Sequence, residues 1–172
     1  QVDTFIRANP DLGSEQSDQY TLGWAYQPTD WLNFSIDYWN TEITNKITYF
    51  SPATILNRLA AGDALPPGIG ITRRQNGSIS EVLAGYGNEG VVNTDGFDAN
   101  VRTTFDFGTL GRLNQNLQIA YTRNYDEGGR NFVEDPGFPK MRMTLQNVYV
   151  IGDVDVAYNL NLIGSSFRCG IG

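Results

Sequence analysis

The sequence predicts an all-β fold, an antiparallel up-and-down sheet of about six long strands. Two observations carry that prediction. The first is period-2 alternation. Tyr20, Leu22, Trp24 and Tyr26 fall on one face of a strand and Ser17, Gln19, Thr21, Gly23 and Ala25 on the other. Leu32, Phe34, Ile36 and Tyr38 then repeat the pattern against Asn33, Ser35 and Asp37. The second is the spacing of the connections, which alternate short (28–31), long (50–90), short (108–112), long (126–139) and short (152–153). In an up-and-down sheet this puts every short turn at one end and every long loop at the other. The 19 glycines and 21 aromatic residues (Tyr 9, Phe 9, Trp 3) of the 172-residue chain suit strands joined by turns.

Taken in order, Gln1–Ile6 reads as the tail of an earlier strand, and Asn9-Pro10-Asp11 is a turn signal. The first long strand spans about Ser17–Gln27, and Pro28-Thr29-Asp30 turns the chain. The second runs from Leu32 to about Tyr49. Its apolar phase passes from even positions (Leu32 to Tyr38) to odd ones (Ile43, Ile47, Tyr49), which implies either a bulge near Asn40 or departure from a one-sided apolar environment. Residues 50–90 form a structured excursion. Ser51 is an N-cap and Pro52 opens a helix whose Ile55, Leu56 and Leu59 form one stripe and whose stop is Gly62. Pro66-Pro67-Gly68 breaks the chain. Asn76-Gly77 is a two-residue hairpin signal between Ile69–Arg74 and Ser78–Val82.

The third long strand covers about Val91–Phe107, with Phe97, Ala99, Val101, Phe105 and Phe107 facing one way and Thr94, Asp98, Asn100, Arg102 and Asp106 the other. After the Gly108–Gly111 turn, Leu113, Leu117, Ile119, Tyr121 and Tyr125 alternate with Asn114, Asn116, Gln118, Thr122 and Asn124. Asp126–Pro139 is a polar loop. Met141, Met143, Leu145 and Tyr149 alternate with Arg142, Thr144 and Gln146. Gly152-Asp153 is a tight turn, and Val154, Val156, Tyr158, Leu160 and Leu162 alternate with Asp155, Ala157, Asn159 and Asn161.

Composition excludes several functions. A net charge of −7 is the wrong sign for a nucleic-acid partner. The chain has no histidine, which removes the commonest general base and metal ligand. The one cysteine, Cys169, can form no internal disulfide. No nucleophile–base arrangement can be assembled, so no enzyme and no cofactor are expected. Asp37 and Glu42 read as lumen-facing polar residues rather than a catalytic pair, which would need a shared pocket. Asp126, Glu127, Glu134 and Asp135 are oxygen ligands that could hold calcium, but a solvated acidic loop accounts for them more simply. Arg73 and Arg74, beside the Asn76-Gly77 turn, suit an anionic ligand or lipopolysaccharide, or simply an exposed hairpin tip.

Alternation alone leaves open which face meets water. A soluble barrel or sandwich would bury the Tyr/Leu/Phe face, and a membrane barrel would turn it toward lipid. Three features favour the membrane. Aromatics crowd the short-turn end (Trp24, Tyr26, Trp31, Phe34, Phe105, Phe107, Tyr149) and again the long-loop end (Tyr20, Tyr38, Phe97, Tyr121, Tyr125), as two interfacial belts would. Strands of about ten alternating residues match a tilted bilayer crossing. The segregation of short turns from long loops is how outer-membrane barrels are built. A segment of a transmembrane barrel is therefore expected, with short periplasmic turns and long extracellular loops that carry the helix and small hairpin.

Three stretches carry a family resemblance. Asn9-Pro10-Asp11-Leu12, Glu15, Ser17, Asp18 and Tyr20-Thr21-Leu22-Gly23 resemble the NPxLxPExSxxYxLG segment of TonB-dependent outer-membrane receptors. Asn88-Glu89-Gly90 with Thr94, Gly96 and Asp98 resembles their NxGxxxTxGxD strand, and Pro139-Lys140-Met141-Arg142 resembles the PKxR start of a later strand. Ser14 stands where the family's usual proline precedes glutamate. The loop around Leu59 lacks the cysteines of some relatives, so no loop disulfide is expected. The resemblance implies residues 1–167 as part of a plugged barrel of about 22 strands, with 168–172 as a tail outside it. It implies a Gram-negative outer-membrane location and energy-coupled uptake of a siderophore, cobalamin or carbohydrate. The implied partners are outer-membrane lipid, a small-molecule or oligosaccharide substrate, and the TonB complex acting through a plug that these residues do not include. Gln1 reads as interior to a longer chain. A soluble ligand-binding β-domain and a passive porin are the alternatives. The expected lipid-facing belt is Tyr20, Trp24, Tyr26, Trp31, Phe34, Tyr38, Phe105, Phe107, Tyr121 and Tyr149, and the expected surface-loop contacts are Arg73, Arg74, Asp126 and Glu127.

Overall fold

The structure is a computed structural model that describes residues 3–6 and 8–166. In chain order the elements are β1 (Asp3–Ile6), β2 (Gln16–Thr29), β3 (Leu32–Thr44), β4 (Ile47–Phe50), α1 (Pro52–Ala61), β5 (Gly70–Arg73), β6 (Ile79–Asn88), β7 (Val91–Asp106), β8 (Arg112–Glu127), β9 (Arg130–Asn131), β10 (Met141–Ile151) and β11 (Val154–Ile163). They fall into two compact units. One takes the N-terminal segment through Ser17 together with Ile43–Val92, and the other takes Asp18–Glu42 and the chain from Asn93 on.

The larger unit is the sheet of long strands. Its order is β2-β3-β7-β8-β10-β11, so strands that follow one another along this path pair side by side, and β9 adds to β8. The pairings β8–β10 and β10–β11 are antiparallel and run unbroken, from Met141↔Tyr121 to Val150↔Arg112 and from Arg142↔Ile163 to Ile151↔Val154. At about 3.3 Å per residue, the 10 to 16 residues of these strands are ample for a tilted bilayer crossing, which takes roughly 9–11.

The connections carry the expected chemistry with small shifts. Pro28 lies inside β2, and the turn sits at Asp30-Trp31. Pro28 is the second-to-last residue of β2, beside the turn, where its missing N–H is tolerated. Gly108–Leu110 is a single 3-10 turn closed by the Phe107 N–H on the Gly111 carbonyl at 2.8 Å. Gly152 takes φ 57° at the first position of its two-residue loop, and Asp153 does not take a positive φ, as a type II′ turn requires.

The smaller unit centres on β6, which pairs antiparallel with β4 and β5 and parallel with β1. The parallel contact of Asp3–Ile6 is a departure from strict up-and-down pairing. The core is Phe50, Ile55, Ile69, Val82 and Ala84, with Leu59, Leu65, Ile71 and Ile79 packed against it. Helix α1 begins and ends as its sequence dictates. Ser51 accepts from the Thr54 N–H at 3.1 Å, Pro52 opens the first turn, and Gly62 closes the helix in the left-handed region at φ 82°.

Several expectations are corrected. β3 runs straight through Asn40 and ends at Thr44, and β4 belongs to a different sheet. The phase change marks that passage, with Ile43 and Ile47 in the smaller unit and Asn45 at φ 54° between the strands. The helix stripe is Ile55 and Leu59. Leu56 is 39% exposed because it lies about 100° round the helix from fully buried Ile55. Asn76-Gly77 is not a two-residue turn. Gln75 and Asn76 are the central pair, only Gly77 has a positive φ (82°), and the Arg74 N–H bonds to the Ser78 carbonyl at 2.8 Å. The Asn76 Oδ1 accepts from the Ser78 N–H at 3.1 Å, which favours this wider loop. The 126–139 loop is not purely polar. It forms a hairpin (Glu127↔Arg130) and packs Phe132 and Phe138 on Tyr125. Cys169 and the 168–172 tail lie outside the described residues.

Ser51→Ala is expected to lower the stability of α1 by about 1 kcal/mol, whereas Leu56→Gln should change it by less than about 0.5 kcal/mol. Amide exchange across Pro52–Ala61 in detergent-solubilised protein measures both.

Candidate functional site

The long sheet has two chemically different faces, built by strand alternation. Across β8 and β10, Leu113↔Tyr149, Leu117↔Leu145 and Ile119↔Met143 share one face, while Asn116↔Gln146, Gln118↔Thr144 and Ala120↔Arg142 share the other. β11 continues both, through Val156, Leu160 and Leu162 on the apolar side and Asn159 and Asn161 on the polar side.

The polar face is cross-linked by side-chain amides. The Asn100 Nδ2 donates to the Asn116 Oδ1 at 2.8 Å, and the Asn116 Nδ2 to the Gln146 Oε1 at 3.2 Å. The Thr144 hydroxyl bonds the Asn161 Oδ1 at 2.9 Å. Beside this ladder is a concavity of about 370 Å³ lined by Asp37, Asp98, Asn100, Gln118, Arg142 and Thr144. A second, of about 270 Å³, is lined by Thr94, Thr122, Tyr125, Phe138, Pro139 and Arg142. Glu42 accepts from the Asn93 Nδ2 at 3.4 Å and does not line the Asp37 concavity, because an odd spacing puts the two carboxylates on opposite faces.

The apolar face carries the aromatic residues as linked rings. Tyr20, Tyr38 and Phe97 form one run, with centroids 6.2 and 5.2 Å apart. Trp24 stacks on Tyr26 at 5.7 Å and meets the edge of Phe34 at 5.3 Å. Trp31, Phe105 and Phe107 form a third run. Tyr149 donates its hydroxyl to the Leu110 carbonyl, and Tyr121 lies 5.7 Å from the Lys140 Nζ. These rings are exposed on that face: Tyr20 and Trp24 are 59% and 56% exposed. A continuous apolar face of this extent is not left to water.

Among the polar groups on that face are two pairs that alternation in the sequence did not single out. Arg123 Nε pairs with Asp95 Oδ2 at 2.5 Å, with Asp95 buried and Arg123 lying 5.9 Å from the Tyr38 ring. Gln115 Nε2 donates to the fully buried Asn147 Oδ1 at 2.7 Å. Trp39, also unassigned from sequence, lies on the polar face against Gly96, where a Cβ would come within 2.7 Å of its ring. That packing explains why glycine stands at Gly96.

The loop residues named from sequence are locally engaged. Arg73 and Arg74 donate to the carbonyls of Gly77 and Ile79 at their own hairpin. Asp126 accepts from the Gly129 N–H at 3.1 Å, and Glu127 pairs with Arg130 along the strand. Asp135 forms a 2.5 Å ion pair with Arg130. Among the described residues no three or more metal-ligating side chains converge.

Four of the motif residues, Asn9, Glu15, Asn88 and Glu89, are structural ties in the smaller unit. The Asn9 Nδ2 donates to the carbonyls of Pro67 and Tyr86, each at 2.9 Å. Asn88 accepts from the Gly13 N–H at 2.6 Å and donates to the Gly13 and Asn45 carbonyls. Glu15 accepts from the Ile47 N–H at 2.8 Å. Glu89 holds Arg58 at 2.5 Å, and this hydrogen bond raises the guanidinium above its usual range.

Long up-and-down strands with an exposed apolar face and an amide-lined opposite face are what a wall section of a transmembrane β-barrel presents. The chain belongs to the TonB dependent receptor-like β-barrel family, whose model matches residues 1–167. The siderophore receptor PirA from Acinetobacter baumannii has a similar structure, with a TM-score of 0.61 at 18% identity, covering 91% of this chain and 20% of that receptor. At that identity the likeness is one of fold, and the chain spans about a fifth of PirA's length. Comparison with curated proteins gives no match. The family consists of receptors of the Gram-negative outer membrane and not of enzymes, and the chain is part of such a barrel.

Removing one partner of the Asp95–Arg123 pair leaves a buried carboxylate unmatched, so Arg123→Leu is expected to cost up to roughly 3 kcal/mol. Adding Asp95→Asn should restore much of that loss. Denaturant midpoints of the two single variants and the double variant give the coupling directly.

Proposed function

We propose that the chain is wall and surface loop of an energy-coupled outer-membrane importer, with residues 1–167 in the barrel and 168–172 outside it. The observation that carries this reading is the family match along 1–167, on a sheet with one exposed apolar face and one hydrogen-bonding face. In this reading the apolar face meets lipid. Tyr20, Trp24, Tyr26, Trp31, Phe34, Tyr38, Phe105, Phe107, Tyr121 and Tyr149 form the interfacial belts, and the amide face lines the lumen. Ligand arrives at the surface loops, which include Arg73, Arg74, Asp126 and Glu127. A plug domain elsewhere in the receptor, driven by TonB, gates passage. A siderophore is the preferred substrate class, supported by the fold shared with a siderophore receptor, ahead of cobalamin and carbohydrate.

The test is uptake of radiolabelled ferric siderophores by cells that express the full receptor. Uptake should disappear when TonB is deleted. Uptake that persists without TonB would mark a passive pore instead.

The orientation of the faces has its own test. Trp24→Asp should lower the yield of bilayer-inserted protein, because it places a charge on the lipid face. Gln118→Glu, on the lumen face, should leave insertion almost unchanged. Heat-modifiable gel mobility after refolding into lipid vesicles reads both. Equal yields for the two variants would reverse the assignment of faces.

A further inference from the structure

Arg123 and Lys140 stand over rings of the apolar face, at the end of the long sheet from which the long connections leave. The Arg123 guanidinium lies 5.9 Å from the centre of the Tyr38 ring. The Lys140 Nζ lies 5.7 Å from the ring of Tyr121, the preceding residue on that face of β8. Lys140 directly precedes β10, so the pleat does not hold it to the polar face. Among the described residues it enters no ion pair.

Arg123 is prepared for an anion. Its pair with Asp95 uses Nε, which leaves the two terminal nitrogens for another acceptor. Asp95 is buried, so it fixes the guanidinium at one height on the sheet. The Arg123 side chain is still 59% exposed, so its head is open to whatever covers the face.

The height is informative. Tyr20, Tyr38 and Phe97 form a run of rings at this level, and aromatic residues at one level mark the boundary between hydrocarbon and headgroups. A long cationic side chain at that boundary lays its stem on apolar surface and lifts its charge to the headgroups. The matching charges there are phosphates. A guanidinium meets phosphate through parallel N–H donors, and an ammonium meets it as a compact charge. Alternation also puts the carboxylates Asp18, Glu42 and Glu127 on this face. They come two to four residues nearer the loops than Tyr20, Tyr38 and Arg123. At about 3.3 Å per residue they stand roughly 7–13 Å farther out than the belt, beyond the phosphate level.

We propose that Arg123 and Lys140 dock the phosphate groups of anionic lipid headgroups at the loop end of the long sheet. Asp95 is the positioning residue for Arg123, and the acyl chains lie along the apolar face below. The proposal deepens the receptor reading and rests on it, since it needs the apolar face to meet lipid.

The test uses the full receptor in nanodiscs of equal phosphatidylglycerol and phosphatidylcholine. Phe97→p-benzoylphenylalanine places a photoreactive ring beside Tyr38, and mass spectrometry identifies each captured lipid. Phosphatidylglycerol should be captured about fivefold or more over phosphatidylcholine, the scale of one surface cation on an anionic lipid. Asp95→Asn combined with Arg123→Gln removes the pair without stranding a carboxylate, and it should bring the ratio close to one. Lys140→Gln should lower the ratio in part, and Arg142→Gln, on the polar face, should leave it unchanged. Heat-modifiable gel mobility checks that each variant is folded. A ratio near one in the unaltered receptor, or a preference that either charge removal leaves untouched, overturns the site. So does loss of the preference to inorganic phosphate at constant ionic strength, which would mark a site for the free anion. Those results leave the receptor reading intact. Capture of neither lipid sinks that reading as well, because the apolar face would then not meet the bilayer.

Discussion

The hydrogen-bond ladder between long neighbouring strands is the constraint on which the long sheet depends. A backbone that crosses hydrocarbon must satisfy every N–H and C=O within the protein. The unbroken pairings of β8 with β10 and of β10 with β11 do this locally. Once the ladder is set, the pleat assigns every side chain to a face, and a slip of one residue would exchange the faces. Ring contacts on one side and amide bonds on the other both pin the register. Leu117 meets Leu145 on the apolar face, and the next pair, Asn116 and Gln146, is hydrogen-bonded on the polar face.

The smaller unit is held differently. Its hydrophobic core is small, with Phe50, Ile55, Ile69, Val82 and Ala84 as the buried residues. Side-chain amides do much of the remaining work by binding backbone groups that no strand partner reaches. Asn9 satisfies two carbonyls, and Asn88 ties Gly13 to Asn45. Each such bond contributes about 1 kcal/mol net, and losing one costs more where the freed group is shielded from water. Asn9, Glu15, Asn88 and Glu89, which help to mark the family in sequence, are fasteners of this unit.

The buried polar groups described on the apolar face, Asp95 and Asn147, each meet a partner side chain. Asp95 is 3% exposed yet carries an arginine partner, and Asn147 is matched by Gln115 on the neighbouring strand. Burying such groups singly would be costly. On the polar face polar groups are the rule: amides bond across the strands, and the exposed Arg112 pairs with Asp106.

Strand positions, short turns, the caps of α1 and the sorting of side chains onto two faces were legible in the sequence, because each depends on local periodicity or on the φ preference of a single residue. Trp24, Ser51, Gly62 and Gly152 all behave as their neighbours dictate. Other features were not legible. The end of β3 at Thr44, the parallel seating of Asp3–Ile6 on β6, the Asp95–Arg123 pair and the shared position of Arg142 between two concavities each join residues far apart in the chain. Alternation states which face a residue takes, but it carries no information about which distant strand lies beside it. Strand order and register supply that information, and only the tertiary structure decided them.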